Sequence, residues 1–186
     1  MKHLLFSIAV IFSIWFMISC KPCDKSKLPE IDNLLSELEQ MQQKIEGVQI
    51  DSMSKICAKL RKEIDIISAV CPPPMMSEAA YDFDLLHITN KGFTRLNNNR
   101  GKLLREIETS KKQLAILKQD IKNCIWSTDS IDYFFQGEAQ IFHQIACKTE
   151  DFLLFVQKDL SISDTLCPKL QHYLDSVAAI IILKKI

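Results

Sequence analysis

From residue 30 onward, apolar side chains recur at steps of three and four, the spacing that lines one face of an α-helix. Ile31, Leu34, Leu38, Met41, Ile45 and Val48 form the first seam and predict a helix over 30–46. Gly47 marks a turn. Met53, Cys57, Leu60, Ile64, Ile67 and Cys71 form the seam of a second helix over 51–70. Pro72-Pro73-Pro74 ends it, because proline has no N–H to donate and its ring clashes with the preceding turn. A third helix, 77–123, begins at Ser77, a residue suited to capping. Phe93, Leu96, Leu103, Ile107, Leu114, Leu117, Ile121 and Cys124 hold one heptad register. Arg100 and Ser110 are its polar interruptions. The register survives Asn97-Asn98-Asn99-Arg100-Gly101, so the segment reads as one continuous or kinked helix of about 70 Å at 1.5 Å per residue.

Ser127-Thr128-Asp129 are capping residues for a fourth helix over 130–160, with a kink expected at Gly137. Its apolar face is aromatic: Tyr133, Phe134, Phe135, Phe142, Phe152 and Phe155. These aromatic residues could line a ligand groove, but aromatic residues at helical spacing are usually core. Residues 161–164 suggest a turn, followed by a fifth helix over 165–184 with Pro168 in its first turn, where proline is tolerated. Cys167, Leu170, Leu174, Val177 and Ile181 make its seam. The apolar run 177–183 is far below membrane-spanning length. Cys57-Ala58-Lys59-Leu60 is echoed by Cys167-Pro168-Lys169-Leu170, through a duplicated hairpin or through chance. Four Gly and six Pro in 186 residues leave few breakers. The expected fold is all-α: an elongated antiparallel bundle of about five helices in coiled-coil-like hairpins, stapled by disulfides.

The beginning of the chain follows another pattern. Met1-Lys2-His3 is basic, Leu4 through Ile18 carry no charge, and polarity returns at Lys21 after Ser19 and Cys20. This is the layout of a secretory signal. Met17-Ile18-Ser19-Cys20 resembles the lipobox of bacterial lipoproteins, with Met17 where Leu is commonest. The resemblance covers residues 1–20 alone. It implies removal of 1–19 as a signal peptide and acylation of Cys20 on its thiol and its new amino group. More than one acyl chain makes anchoring stable. Residues 20–29, with Pro22 and Pro29, then form a lipidated tether, and 30–186 a single helical domain. The implied location is the bacterial cell envelope, on a membrane, facing the periplasm or the cell surface. Lipid on Cys20 also removes Cys20-Lys21-Pro22-Cys23 as a redox pair, and Asp24 stands where a haem-attachment motif needs His.

Without Cys20, six cysteines remain, the count expected for three disulfides in an exported chain, with a metal site or free buried thiols as the alternatives. Folding the first helix onto the second about Gly47 brings Cys23 level with Cys71. Cys57 and Cys167 both fall beside the middle of the third helix. Cys124 and Cys147 are left, and their pairing needs a break at Gly137. Zinc thiolate sites bring close cysteine pairs, and none remains. His143 and Cys147 share a helix face without a second such pair, so no metal is expected.

Lys and Arg number 23, as do Asp and Glu, so the formal net charge is zero. A chain without a basic face has no electrostatic footprint for nucleic acid. No G-x-S-x-G, H-E-x-x-H or phosphate-binding loop occurs. His87, His143 and His172 sit on predicted helices among polar neighbours and read as solvated. No catalytic residue or cofactor is expected. The leading expectation is a membrane-anchored exported lipoprotein with a helical structural or protein-interaction domain, its partner not identified by the sequence. The alternatives are a periplasmic immunity or inhibitor protein neutralising a toxin or hydrolase, and an enzyme with an unrecognised site, which would need a polar pocket around His143 or His172.

Overall fold

The computed structural model describes residues 24–69 and 79–184, and among them there is no strand. Four helices follow in order: α1 (Leu28–Glu46), α2 (Ile50–Ser68), α3 (Ala80–Lys122) and α4 (Thr128–Lys184). α1 and α2 follow the first two seams closely. α3 is continuous over 43 residues, straight through Asn97–Gly101, because Phe93 and Leu96 before that segment and Leu103 and Ile107 after it are all buried in one register. Cys71, the three prolines after it and the capping position Ser77 lie outside the described residues.

The five-helix count is corrected. The expected fourth and fifth helices are one helix of 57 residues, with Pro168 inside it. Packing overrides the local turn signals. Val156, Ser163, Cys167, Leu170, Leu174 and Val177 are buried at steps of seven, four, three, four and three, a stripe that crosses 161–164 without a phase change. Ser163 and Thr165 do not cap a new helix. Their hydroxyls donate back one turn, to the carbonyls of Asp159 (2.8 Å) and Ser161 (3.4 Å). Pro168 removes one helical hydrogen bond and is worse than alanine by about 3 kcal/mol in a helix interior. Burying Leu170, Leu174 and Val177 is worth roughly 1.5–3 kcal/mol each, which together outweighs it. The expected kink at Gly137 does not interrupt the helix either.

The described chain divides into two compact units. One joins Ser110–Phe142 to the residues up to Glu37. Its core contains Ile31, Leu114, Ile121, Ile131 and Phe135. The other joins Leu38–Thr109 to the residues from His143 onward. Its core contains Leu38, Ile45, Cys57, Phe93, Ile107, Ile145 and Leu170. In this second unit Arg100, the polar interruption of the seam, has a structural task. Its Nη2 donates to the Glu46 carbonyl (3.0 Å) at the end of α1, and its Nη1 reaches Asp51 Oδ2 (3.4 Å) in the first turn of α2. A cation therefore closes the α1–α2 turn where the last carbonyls of α1 lack helical partners. Among the described residues no helix is long and apolar enough to cross a membrane.

Candidate functional site

Two clusters stand out, one in each unit. In the second unit, α2 presents Cys57 and α4 presents Ser163 and Cys167, all buried. The two sulfurs lie 3.5 Å apart. Cys57 Sγ is also 3.9 Å from Ser163 Oγ. The structure thus brings Cys57 and Cys167 together as free thiols. The expected Cys57–Cys167 bridge is not closed, since a disulfide requires about 2.05 Å. Hydrogen bonding from Cys167 draws the Cys57 thiol down to about 7, with burial opposing and Ser163 assisting. Cys167 is pushed upward, first by its bond to Cys57 and then by burial. The pair gives up one proton readily and holds the second. An open cleft of about 300 Å³, lined by Met53, Ile56, Leu60 and Pro168 among others, leads to Cys167.

The remaining cysteine expectations fare differently. Cys147 is a free, exposed thiol. The expected Cys124–Cys147 bridge is absent because α4 runs unbroken through Gly137 and does not fold Cys147 back. Cys124 is exposed and is not among the free thiols. No two described cysteines are bonded to each other. Cys20, Cys23 and Cys71 lie outside the described residues.

The second cluster, in the first unit, is built by the connection between α3 and α4. Cys124 adopts a left-handed conformation (φ 55°). The Ile125 amide donates to the Asp120 carbonyl and the Cys124 amide to the Ile121 carbonyl, both at 3.1 Å. This is the Schellman pattern that ends a helix sharply, here with a non-glycine residue at its left-handed position. The turn throws Ile125 and Trp126 outward, 56% and 42% exposed. Trp126 Nε1 donates to Asp120 Oδ2 (3.0 Å). Its ring tilts against Phe134, with centroids 5.3 Å apart, and Phe134 meets Tyr133 edge-on at 5.6 Å.

The aromatic face of α4 is therefore not all core. Phe135, Phe142 and Phe152 are buried, while Tyr133, Phe134 and Phe155 are exposed. Successive helical residues point about 100° apart, so Tyr133, Phe134 and Phe135 cannot share one face. Trp126, Phe134, Ile116, Asp120 and Glu138 wall an open groove of about 210 Å³. Glu138 Oε2 is buried without a hydrogen-bond partner. Burial raises the Glu138 pKa above its ordinary value. Sequence reading offered a groove lined by these aromatic residues but favoured core, and it gave no place to Trp126; the signals that favour the groove are Ile125-Trp126 in a turn and aromatic residues out of phase with the seam.

His143 and Cys147 are exposed on α4, His172 is exposed and His87 half-buried. Among the described residues no group of three or more His, Cys, Asp or Glu could hold a metal ion. Compared with known proteins, the chain matches no family model, no curated protein and no solved structure.

Proposed function

We propose that this chain is an exported lipoprotein of the bacterial envelope, anchored through Cys20, whose helical domain binds a protein partner and performs no catalysis of its own. The observation that carries the binding role is the exposed cluster of Trp126, Phe134 and Tyr133, whose rings meet, with exposed Ile116 lining the same groove. Large apolar side chains gathered in contact at a surface mark interaction sites in soluble domains. The anchor rests on Met17-Ile18-Ser19-Cys20 and the uncharged run before it. Residues 20–27, ahead of α1, tether the domain to the membrane on the periplasmic face, so the tether is shorter than the 20–29 expected, because Leu28 and Pro29 already belong to the first turn of α1. In that oxidising compartment Cys57 and Cys167 close to a disulfide. Each thiol gives up one proton and one electron, and a disulfide-bearing oxidant is reduced to two thiols.

Two measurements test the two halves of this reading. Cells fed labelled palmitate should label the native chain, while Cys20→Ser should stay unlabelled and unprocessed. A native chain without label would remove the anchor. A photo-crosslinking residue at position 133 should give one discrete adduct in intact cells, and the same residue at exposed Glu150 should not. The interaction role fails if both positions behave alike.

A further inference from the structure

The groove at the α3–α4 connection has a chemistry that narrows the partner. Two aromatic rings, Trp126 and Phe134, stand in one wall, and their faces attract cations. Two carboxylates, Asp120 and Glu138, share the lining, and no lining residue is basic. Asp120 already accepts from the Trp126 indole, which fixes the ring. Glu138 lines the groove and keeps one oxygen buried and unpartnered within the chain, so turning that carboxylate towards a donor in the groove would relieve an unsatisfied acceptor. The same helix already uses an aromatic ring in this way: Lys27 Nζ sits 4.9 Å above the Phe135 ring. The volume, about 210 Å³, is below the roughly 300–1,000 Å³ of sites for small organic ligands. It suits one side chain.

We propose that this groove takes an arginine side chain of the partner protein, with the guanidinium stacked against Trp126 and donating to Glu138. Arginine fits better than lysine, because its planar head stacks on a ring while its fork of N–H groups reaches a carboxylate. This inference rests on the interaction role proposed above and specifies its ligand.

The test uses the mature lipidated chain in detergent micelles, in which removal of residues 1–19, and Trp15 with them, leaves Trp126 as the only tryptophan. The probes are N-acetyl-arginine methylamide, its uncharged citrulline counterpart, the lysine analogue and tetramethylammonium. Trp126 fluorescence and the indole N–H resonance are the readouts. The expected result is saturable binding of the arginine probe, ~10-fold weaker for citrulline and weaker for lysine. Glu138→Gln should weaken arginine binding by ~10-fold while helix content is unchanged. The arginine probe should also suppress the crosslink from position 133, and Glu138→Gln should reduce it.

Four outcomes overturn the proposal: no saturable response to arginine, equal response to citrulline, tighter binding of tetramethylammonium (a quaternary-amine site), or self-association abolished by Trp126→Ala (a second copy as occupant). A crosslink at 133 that arginine does not suppress would sink the arginine assignment and leave the interaction role standing. Absence of the discrete crosslink from the unmodified chain without added probe removes that role.

Discussion

In the unit that contains Leu38–Thr109, polar side chains that enter the core find partners within the chain. Thr89, Thr149 and Ser163 each donate at 2.8 Å to the carbonyl one turn back. Arg100 satisfies both terminal nitrogens, leaving only its Nε without a partner. In the unit that contains Ser110–Phe142, Ser110 Oγ and Glu138 Oε2 are buried with none. A buried group that water no longer reaches costs about 1–3 kcal/mol when unpaired. The first unit therefore carries destabilising features beside an exposed aromatic cluster, and the second carries few. That contrast in buried polar groups fits the interaction role proposed for the first unit.

The largest way to sharpen the comparison acts on the self-contained unit. Oxidising Cys57 and Cys167 with glutathione disulfide closes a loop of 110 residues. Chain entropy gives roughly 4–5 kcal/mol for such a loop, or a rise in Tm of about 10 °C. Calorimetry of the oxidised chain against Cys57→Ser and Cys167→Ser should show it. An oxidised form that melts with the reduced one would mean that the 3.5 Å pair cannot close without strain. Oxidation should also quicken as pH rises through about 7, because the Cys57 thiolate is the attacking species.

Arg100→Leu comes next. The Asp51 contribution is small, since that carboxylate is 65% exposed. The charge-assisted bond to the Glu46 carbonyl is the main loss, about 2 kcal/mol. Urea denaturation should register it without a change in slope. An unchanged midpoint would show that water closes the α1–α2 turn as well as arginine does.

How much of this was legible in the sequence follows from which signals are local. The heptad register carried α3 correctly through three asparagines and a glycine. The same kind of register runs from Val156 to Val177, yet Ser161, Asp164 and Pro168 outweighed it and suggested a turn. The stripe of buried residues was the stronger signal, because its burial is worth more than one missing hydrogen bond. Arg100 read as an interruption, since nothing local shows that its guanidinium reaches a carbonyl 54 residues earlier. Level counting placed Cys57 beside Cys167, but a bond and a 3.5 Å contact look identical in a sequence. The turn beside the groove was hidden for another reason. It uses Cys124 where glycine would have announced a left-handed residue.

Glu138→Gln tests the other side of the contrast. Burial raises the folded pKa of Glu138. A raised carboxyl pKa means that the folded chain holds the proton more tightly. Its favourable contribution is therefore present below 4.5, the ordinary value, and is lost as pH rises through the folded one. The amide carries no charge to desolvate. Glu138→Gln should thus melt above the native chain at pH 7, and the gap should close below pH 4.5. A gap independent of pH would trace the effect to shape, not to charge. This same substitution is expected to weaken arginine binding, so a gain in stability with a loss of binding would mark the carboxylate as kept for its ligand.

The smallest effect is the most direct comparison. Ser110→Ala and Ser163→Ala are the same change at two fully buried helical positions. Both gain about 0.5 kcal/mol of helix propensity, so that term cancels between them. Ser163 gives up its bond to the Asp159 carbonyl and its contact with Cys57. Ser110 gives up nothing, because its hydroxyl has no partner. Ser110→Ala should therefore stabilise, Ser163→Ala should be neutral or slightly destabilising, and the two should differ by about 1 kcal/mol. Matched thermal melts would reveal the difference as a few degrees. If both variants shift alike, the hydroxyl at 110 is satisfied in solution, and the contrast between the units rests on Glu138 alone.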